Sequence, residues 1–88
     1  MTSTPYTPIL NWNASHSHTA ATDETVVLSN IGGGTVRFDF DAGTTLPTID
    51  VEDGHPIKRR ERVSIGLQTG QTLFWAGPSK TVLGVLPI

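Results

Sequence analysis

The sequence predicts an all-β fold: a small jelly-roll-like or immunoglobulin-like antiparallel β-sandwich with an extended N-terminal arm. Three observations carry this expectation. Apolar residues alternate with period two in several short runs, as on a half-buried strand. Turn signals recur between the runs every 8–12 residues, the spacing of a sandwich or small barrel. No stretch shows helical periodicity, and there is no internal repeat.

Residues 1–24 are polar and turn-rich and form the expected arm; residues 25–88 form the expected sandwich domain. The first strand runs from Thr25 to Ile31, rich in β-branched residues. Asn30 and Gly32-Gly33-Gly34 end it, since glycine turns without steric cost. Thr35 to Asp41 alternates most cleanly, with Val36, Phe38 and Phe40 on one face and Arg37, Asp39 and Asp41 on the other. The two strands read as a hairpin across the glycine loop. Ala42 to Pro47 reads as a loop, Ile49 to Val51 as a short strand, and Asp53-Gly54 as a turn before an extended restart at His55-Pro56. Arg62 to Gln68 alternates with Val63, Ile65 and Leu67 inward, and Thr69-Gly70 turns the chain. Gln71 to Ala76 and Thr81 to Leu86, separated by Gly77-Pro78-Ser79-Lys80, carry apolar residues on both faces. Such strands are central, or turn one face to a partner.

Composition bounds the function. The 88 residues make one domain, with no cysteine for disulfides or thiolate metal sites. The start of the chain has neither a basic nor a continuous apolar region, so no signal peptide is expected, and no apolar run is long enough to span a membrane. The net charge is −2 with 16% charged residues, against roughly 25% in typical domains. A lightly charged surface argues against nucleic acid and suits contact with protein, where little charge has to be desolvated. Chains this short bury a smaller fraction of their surface than larger domains do, which favours an oligomer or a bound subunit over a lone monomer.

No catalytic residue is expected: there is no cysteine, no serine lies on a Gly-x-Ser-x-Gly elbow, and no histidine neighbours a strong candidate nucleophile in sequence. His16 and His18 would face one way on an extended segment, with His55 as a third ligand, but a solvated or partner-facing arm is the simpler reading, and neither metal nor cofactor is expected. Asp39, Asp41, Asp50, Glu52 and Asp53 offer oxygen ligands without calcium-loop spacing, and a solvated role is the default. Lys58-Arg59-Arg60-Glu61-Arg62 is the one basic run; if extended, Lys58, Arg60 and Arg62 share a face and could sit opposite Asp39 and Asp41 on a neighbouring strand. In the arm, Tyr6, Pro8, Ile9, Leu10 and Trp12 form a proline-stiffened apolar island. It either packs back on its own sandwich as an edge strand or anchors the protein to a neighbouring chain.

Thr25 to Phe40, TVVLSNIGGGTVRFDF, carries a V-x-L-x-N strand (Val26, Leu28, Asn30), then glycine and a V-x-F strand (Val36, Phe38). Val63 to Ala76, VSIGLQTGQTLFWA, carries L-x-x-G-x-x-L (Leu67, Gly70, Leu73) before an aromatic strand. Over residues 25–88 the chain thereby resembles the small β-sandwich accessory proteins, decoration and head proteins, of tailed bacteriophages. The resemblance implies a virion subunit, made in the host cytoplasm and placed on the capsid exterior, that stabilises the lattice of the major capsid protein. It brings no catalytic residues, and the basic run lies outside its pattern. Contact residues expected on this reading are Tyr6, Ile9, Leu10 and Trp12 in the arm, with Arg59, Arg60 and Arg62 second. The alternatives are a neck or tail accessory subunit, or a carbohydrate-binding sandwich in which Trp12 or Trp75 stacks on sugar.

Overall fold

A computed structural model describes residues 2–42 and 46–86. Eight strands follow one another: β1 (Thr2–Tyr6), β2 (Ser17–Thr19), β3 (Glu24–Asn30), β4 (Val36–Ala42), β5 (His55–Ile57), β6 (Arg62–Leu67), β7 (Gln71–Ala76) and β8 (Thr81–Leu86). Single 3-10 turns at Ala14–His16 and Val51–Asp53 interrupt the connections. The strands form two antiparallel four-stranded sheets, ordered β1-β8-β3-β6 and β2-β7-β4-β5. The pairs β1·β8, β2·β7, β3·β6 and β4·β5 are those of one long hairpin, closed at the β4–β5 connection and rolled so that its strands alternate between sheets. That connectivity is the eight-stranded jelly roll, and it decides between the two sandwich types the sequence left open.

The inward parity predicted for Val36 and Phe38 and for Ile65 and Leu67 holds. Val26, Leu28, Ile65, Leu67 and Leu83 of the first sheet meet Val36, Phe38, Ile57, Leu73 and Trp75 of the second in one buried cluster. Phe40 keeps the inward parity but is 37% exposed; it lies near the end of β4. Trp75 is buried, with its indole N–H donated to Thr81 Oγ1 at 3.1 Å, so the polar atom of the largest core residue is satisfied. β7 and β8 are each central in their sheets, flanked by strands on both sides, and on β7 Phe74, of opposite parity to Leu73 and Trp75, is buried as well.

Several expectations change. Thr25–Ile31 and Thr35–Asp41 do not form a hairpin: β3 and β4 lie in different sheets, and the glycine segment crosses between them. The glycines serve close approach. A Cβ on Gly32 would overlap Ser79 Oγ and lie 2.9 Å from Lys80 N, and one on Gly34 would lie 2.9 Å from Pro78 Cγ. Ile49 to Val51 is not a strand; the chain bends there and enters the 3-10 turn at Val51. Residues 43–45 of the expected Ala42–Pro47 loop lie outside the described residues.

The segment expected as an arm lies on its own sandwich. Thr2–Tyr6 pairs with β8 and Ser17–Thr19 with β7, so residues before Asp23 supply an edge strand to each sheet. Between them, Ile9 and Gly77 exchange backbone hydrogen bonds of 3.2 and 2.6 Å. No described helix is long and apolar enough to cross a membrane.

Candidate functional site

The roll brings the connections β1–β2, β3–β4, β5–β6 and β7–β8 to one end of the sandwich. The registers define that end: Tyr6, Thr81, Asn30 and Glu61 line up across the first sheet, and Ala76, Arg37 and Pro56 across the second.

Asn30 ties this end together. Its Nδ2 donates to Gly34 O (2.6 Å) and to Ile57 O (2.9 Å), while its Oδ1 accepts from Gly32 N–H (3.2 Å) and from the Ser79 hydroxyl (2.6 Å). The buried amide thus fills both donors and both acceptor positions and joins the β3–β4 connection, the end of β5 and the β7–β8 connection. The cue in the sequence was an asparagine closing an apolar strand with one residue between it and the glycines.

The basic run is a turn, not a strand. Glu61 N–H donates to Lys58 O at 3.0 Å, and Glu61 Oε1 accepts from Lys58 N–H at 3.0 Å. Arg60 sits at φ 62, the left-handed region, which costs a side-chain-bearing residue about 1–2 kcal/mol relative to the right-handed one. The turn leads from β5 in one sheet to β6 in the other. The expected ladder of Lys58, Arg60 and Arg62 against Asp39 and Asp41 therefore does not form, because β4 and β6 belong to different sheets.

Charge is concentrated at this end. Lys58, Arg59, Arg60, Arg62 and Lys80 lie on or beside two of its connections with a single acid, Glu61, a local charge of +4. The rest of the chain holds Arg37 against seven acids, or −6, which restores the net −2. A sum near neutrality thus conceals a local basic excess at the β5–β6 and β7–β8 connections, while Arg37, Asp50 and Glu52 mix both signs beside Leu10. The two most exposed large apolar side chains among the described residues, Leu10 (68%) and Ile31 (55%), lie at the same end. An open cleft of about 490 Å³ is lined by Ser29, Asn30, Ile31, Arg60, Glu61 and Arg62. A second, of about 390 Å³, runs from Leu10 past Thr35 and Arg37 to Asp50 and Glu52.

The structure divides the expected contact residues. Tyr6 is half-buried with its ring edge-on to Trp75 at 4.9 Å. Trp12 donates its indole N–H to Ile49 O at 2.8 Å and packs over Gly54, while Ile9 is half-buried at its bridge to Gly77. Of the four arm residues, Leu10 is the one turned fully outward, and it shares the loop end with Arg59, Arg60 and Arg62, all exposed. Trp75, buried in the core, offers no stacking platform for a sugar.

The histidines are separated. His16 is buried; its Nε2 donates to Thr7 O at 2.7 Å, and its Nδ1 accepts from Ser15 Oγ at 2.9 Å. His18 binds Glu24, and His55 lies 5.2 Å from the Phe38 ring. Among the described residues no three His, Cys, Asp or Glu side chains gather where they could hold one metal ion. At the opposite end, Asp23 Oδ1 accepts from both the N–H (2.8 Å) and the hydroxyl (3.0 Å) of Thr69. These bonds hold its carboxyl below the usual carboxylate range, the backbone N–H contributing most.

No protein-family model, no curated protein and no solved structure matches the chain.

Proposed function

We propose that the protein is a non-enzymatic structural subunit of a virion, a decoration protein that docks its loop end on the lattice of the major capsid protein and stabilises it. The observation that carries this reading is the composition of that end: Ile31, exposed, shares a cleft with Arg60 and Arg62, and Leu10, exposed, shares one with Arg37, Asp50 and Glu52. Apolar anchors inside a charged rim are the anatomy of a protein interface, and segregated charge steers such an encounter with an acidic surface. The likeness of Thr25–Phe40 and Val63–Ala76 to phage decoration and head proteins supplies the kind of partner. Repetition over a lattice makes a modest interface sufficient, because many copies share the task of holding capsomers together.

The test is co-sedimentation with shells assembled from the major capsid protein alone. The intact protein should pellet with shells. Leu10→Asp with Ile31→Asp, and separately Arg59→Glu, should pellet much less while keeping their thermal unfolding, since all three side chains are exposed. Undiminished pelleting of both variants would move the docking surface off the loop end. Failure of the intact protein to pellet would sink the decoration reading, and co-purification with neck or tail fractions would place the subunit there.

A further inference from the structure

Three of the four sheet edges are blunted. β1 contains Pro5, β2 has three residues, and β5 has three with Pro56 among them. Short strands and proline are the means by which proteins keep sheet edges from pairing with other chains. The fourth edge, β6, has six residues, no proline and a single charge, at its first position.

The groups this edge offers follow from the ladder. Asn30 N–H donates to Glu61 O at 2.8 Å, which makes Asn30/Glu61 a hydrogen-bonded pair. Hydrogen-bonded pairs alternate in an antiparallel ladder, so Leu28/Val63, Val26/Ile65 and Glu24/Leu67 are the others. The backbone N–H and C=O of Arg62, Ser64 and Gly66 therefore point outward, and no described strand lies beyond them.

We infer that this edge pairs with the same edge of a second copy, joining two sheets into one eight-stranded sheet across a two-fold axis at Ser64. In that register Ser64 meets Ser64, and Arg62 meets Gly66 of the second copy, with two hydrogen bonds in each pair. Val63 comes opposite Ile65 on the inward face. The choice of a second copy rests on charge. Antiparallel self-pairing carries the Arg59-Arg60 turn of each copy to the corner where Thr69 holds Asp23 of the other, so the cationic end of β6 meets the acidic end twice. Gly66 admits the approach: a Cβ there would meet nothing within 4 Å, so the Arg62 side chain of the other copy can lie across it. The inference does not rest on the virion reading, and its test uses no shells.

The experiment is sedimentation velocity on the full chain from micromolar to millimolar concentration, with Gly66→Glu, Gly66→Lys and Ser64→Pro. The intact protein should pass from monomer to dimer. Gly66→Glu should tighten the dimer and Gly66→Lys weaken it, because each puts a charge opposite Arg62 at two symmetric positions; the two dissociation constants should differ on the order of tenfold or more. Added salt should narrow that gap. Ser64→Pro removes a donor that β3 does not use and should leave a folded monomer; should it unfold, the Glu/Lys contrast still decides. A protein monomeric throughout the range would overturn the inference, including the case in which β6 accepts a strand only from another protein. So would a dimer of equal strength with Glu and Lys at position 66.

Discussion

Asn30 saturates its amide on four groups from three segments, so single-atom changes there should be severe. Asn30→Asp replaces two donors by an acceptor facing the carbonyls of Gly34 and Ile57. Asn30→Ala leaves buried groups without partners, at about 1–3 kcal/mol for each stranded group. Ser79→Ala removes one hydrogen bond and should cost only about 0.5–1.5 kcal/mol. Urea titration of the three variants should rank Asn30→Asp and Asn30→Ala well below Ser79→Ala, and equal midpoints would contradict the keystone role. Phe38→Ala should cost about 3–5 kcal/mol by the same measurement, since its ring is buried in the cluster. Asp23 gives a pH signature. Its carboxyl titrates lower in the folded chain than in the unfolded one, so its stabilising contribution is present above the ordinary carboxylate pKa of about 3.9 and lost as pH falls through the folded value. Asp23→Asn should therefore melt below the intact protein at neutral pH, and the difference should close on acidification below about pH 4. A gap constant with pH would mean that the lost hydrogen bonds to Thr69 do not depend on charge.

The connections between strands behave as fitted parts. Across the β3–β4 connection the three glycines are inequivalent: Gly33 has open space around it, whereas Gly32 and Gly34 are packed against Ser79, Lys80 and Pro78. Gly33→Ala should stay within about 0.5 kcal/mol of the intact protein, and Gly32→Ala should lose about 1–3 kcal/mol to overpacking. Thermal unfolding distinguishes the two, and equal losses would return the glycines to a generic turn role. The β5–β6 turn shows the reverse arrangement, with an arginine where glycine would be easier. Arg60→Gly relieves the left-handed strain but loosens the unfolded chain, so stability should hold or rise by up to about 1 kcal/mol. Retained stability combined with weaker dimerisation would identify the side chain as placed for contact. A marked loss of stability would show that it supports the fold.

On the scale of the whole molecule, pairing runs between the two halves of the chain, β1 with β8 and β2 with β7, so the termini close the roll. Contacts so distant in sequence make for slow folding and a cooperative unit. Removing residues 1–24 takes an edge strand from each sheet together with Tyr6 and His16, both packed near Trp75. The truncated chain should lose its cooperative thermal transition and near-ultraviolet circular dichroism, rather than survive as a folded body without an arm. A sharp transition in the truncated protein would mean that the roll closes without β1 and β2.

The sequence by itself determined the class of fold, five of the six strands after Asp23 apart from their ends, and several of the segments that turn, because period-two alternation and glycine or proline punctuation are local properties. Val36 with Phe38, and Ile65 with Leu67, were legible for that reason. Tertiary structure alone decided which strands are neighbours. Thr25–Asn30 and Val36–Asp41 satisfy hairpin rules in isolation, yet the inter-sheet core and the fit of Gly32 and Gly34 against Pro78 and Ser79 send them to opposite sheets. That the N-terminal segment packs back as an edge strand stayed one of two open readings, and the bounds of β1 and β2 were not legible, because an edge strand buries little and carries a weak pattern. Their pairing is set by partners more than 50 residues away. Composition likewise averaged to a lightly charged surface, since a sum over the chain holds no positions. Only the roll, by bringing four connections to one end, placed Leu10 and Ile31 beside the arginines and left β6 with the one long edge open to pairing.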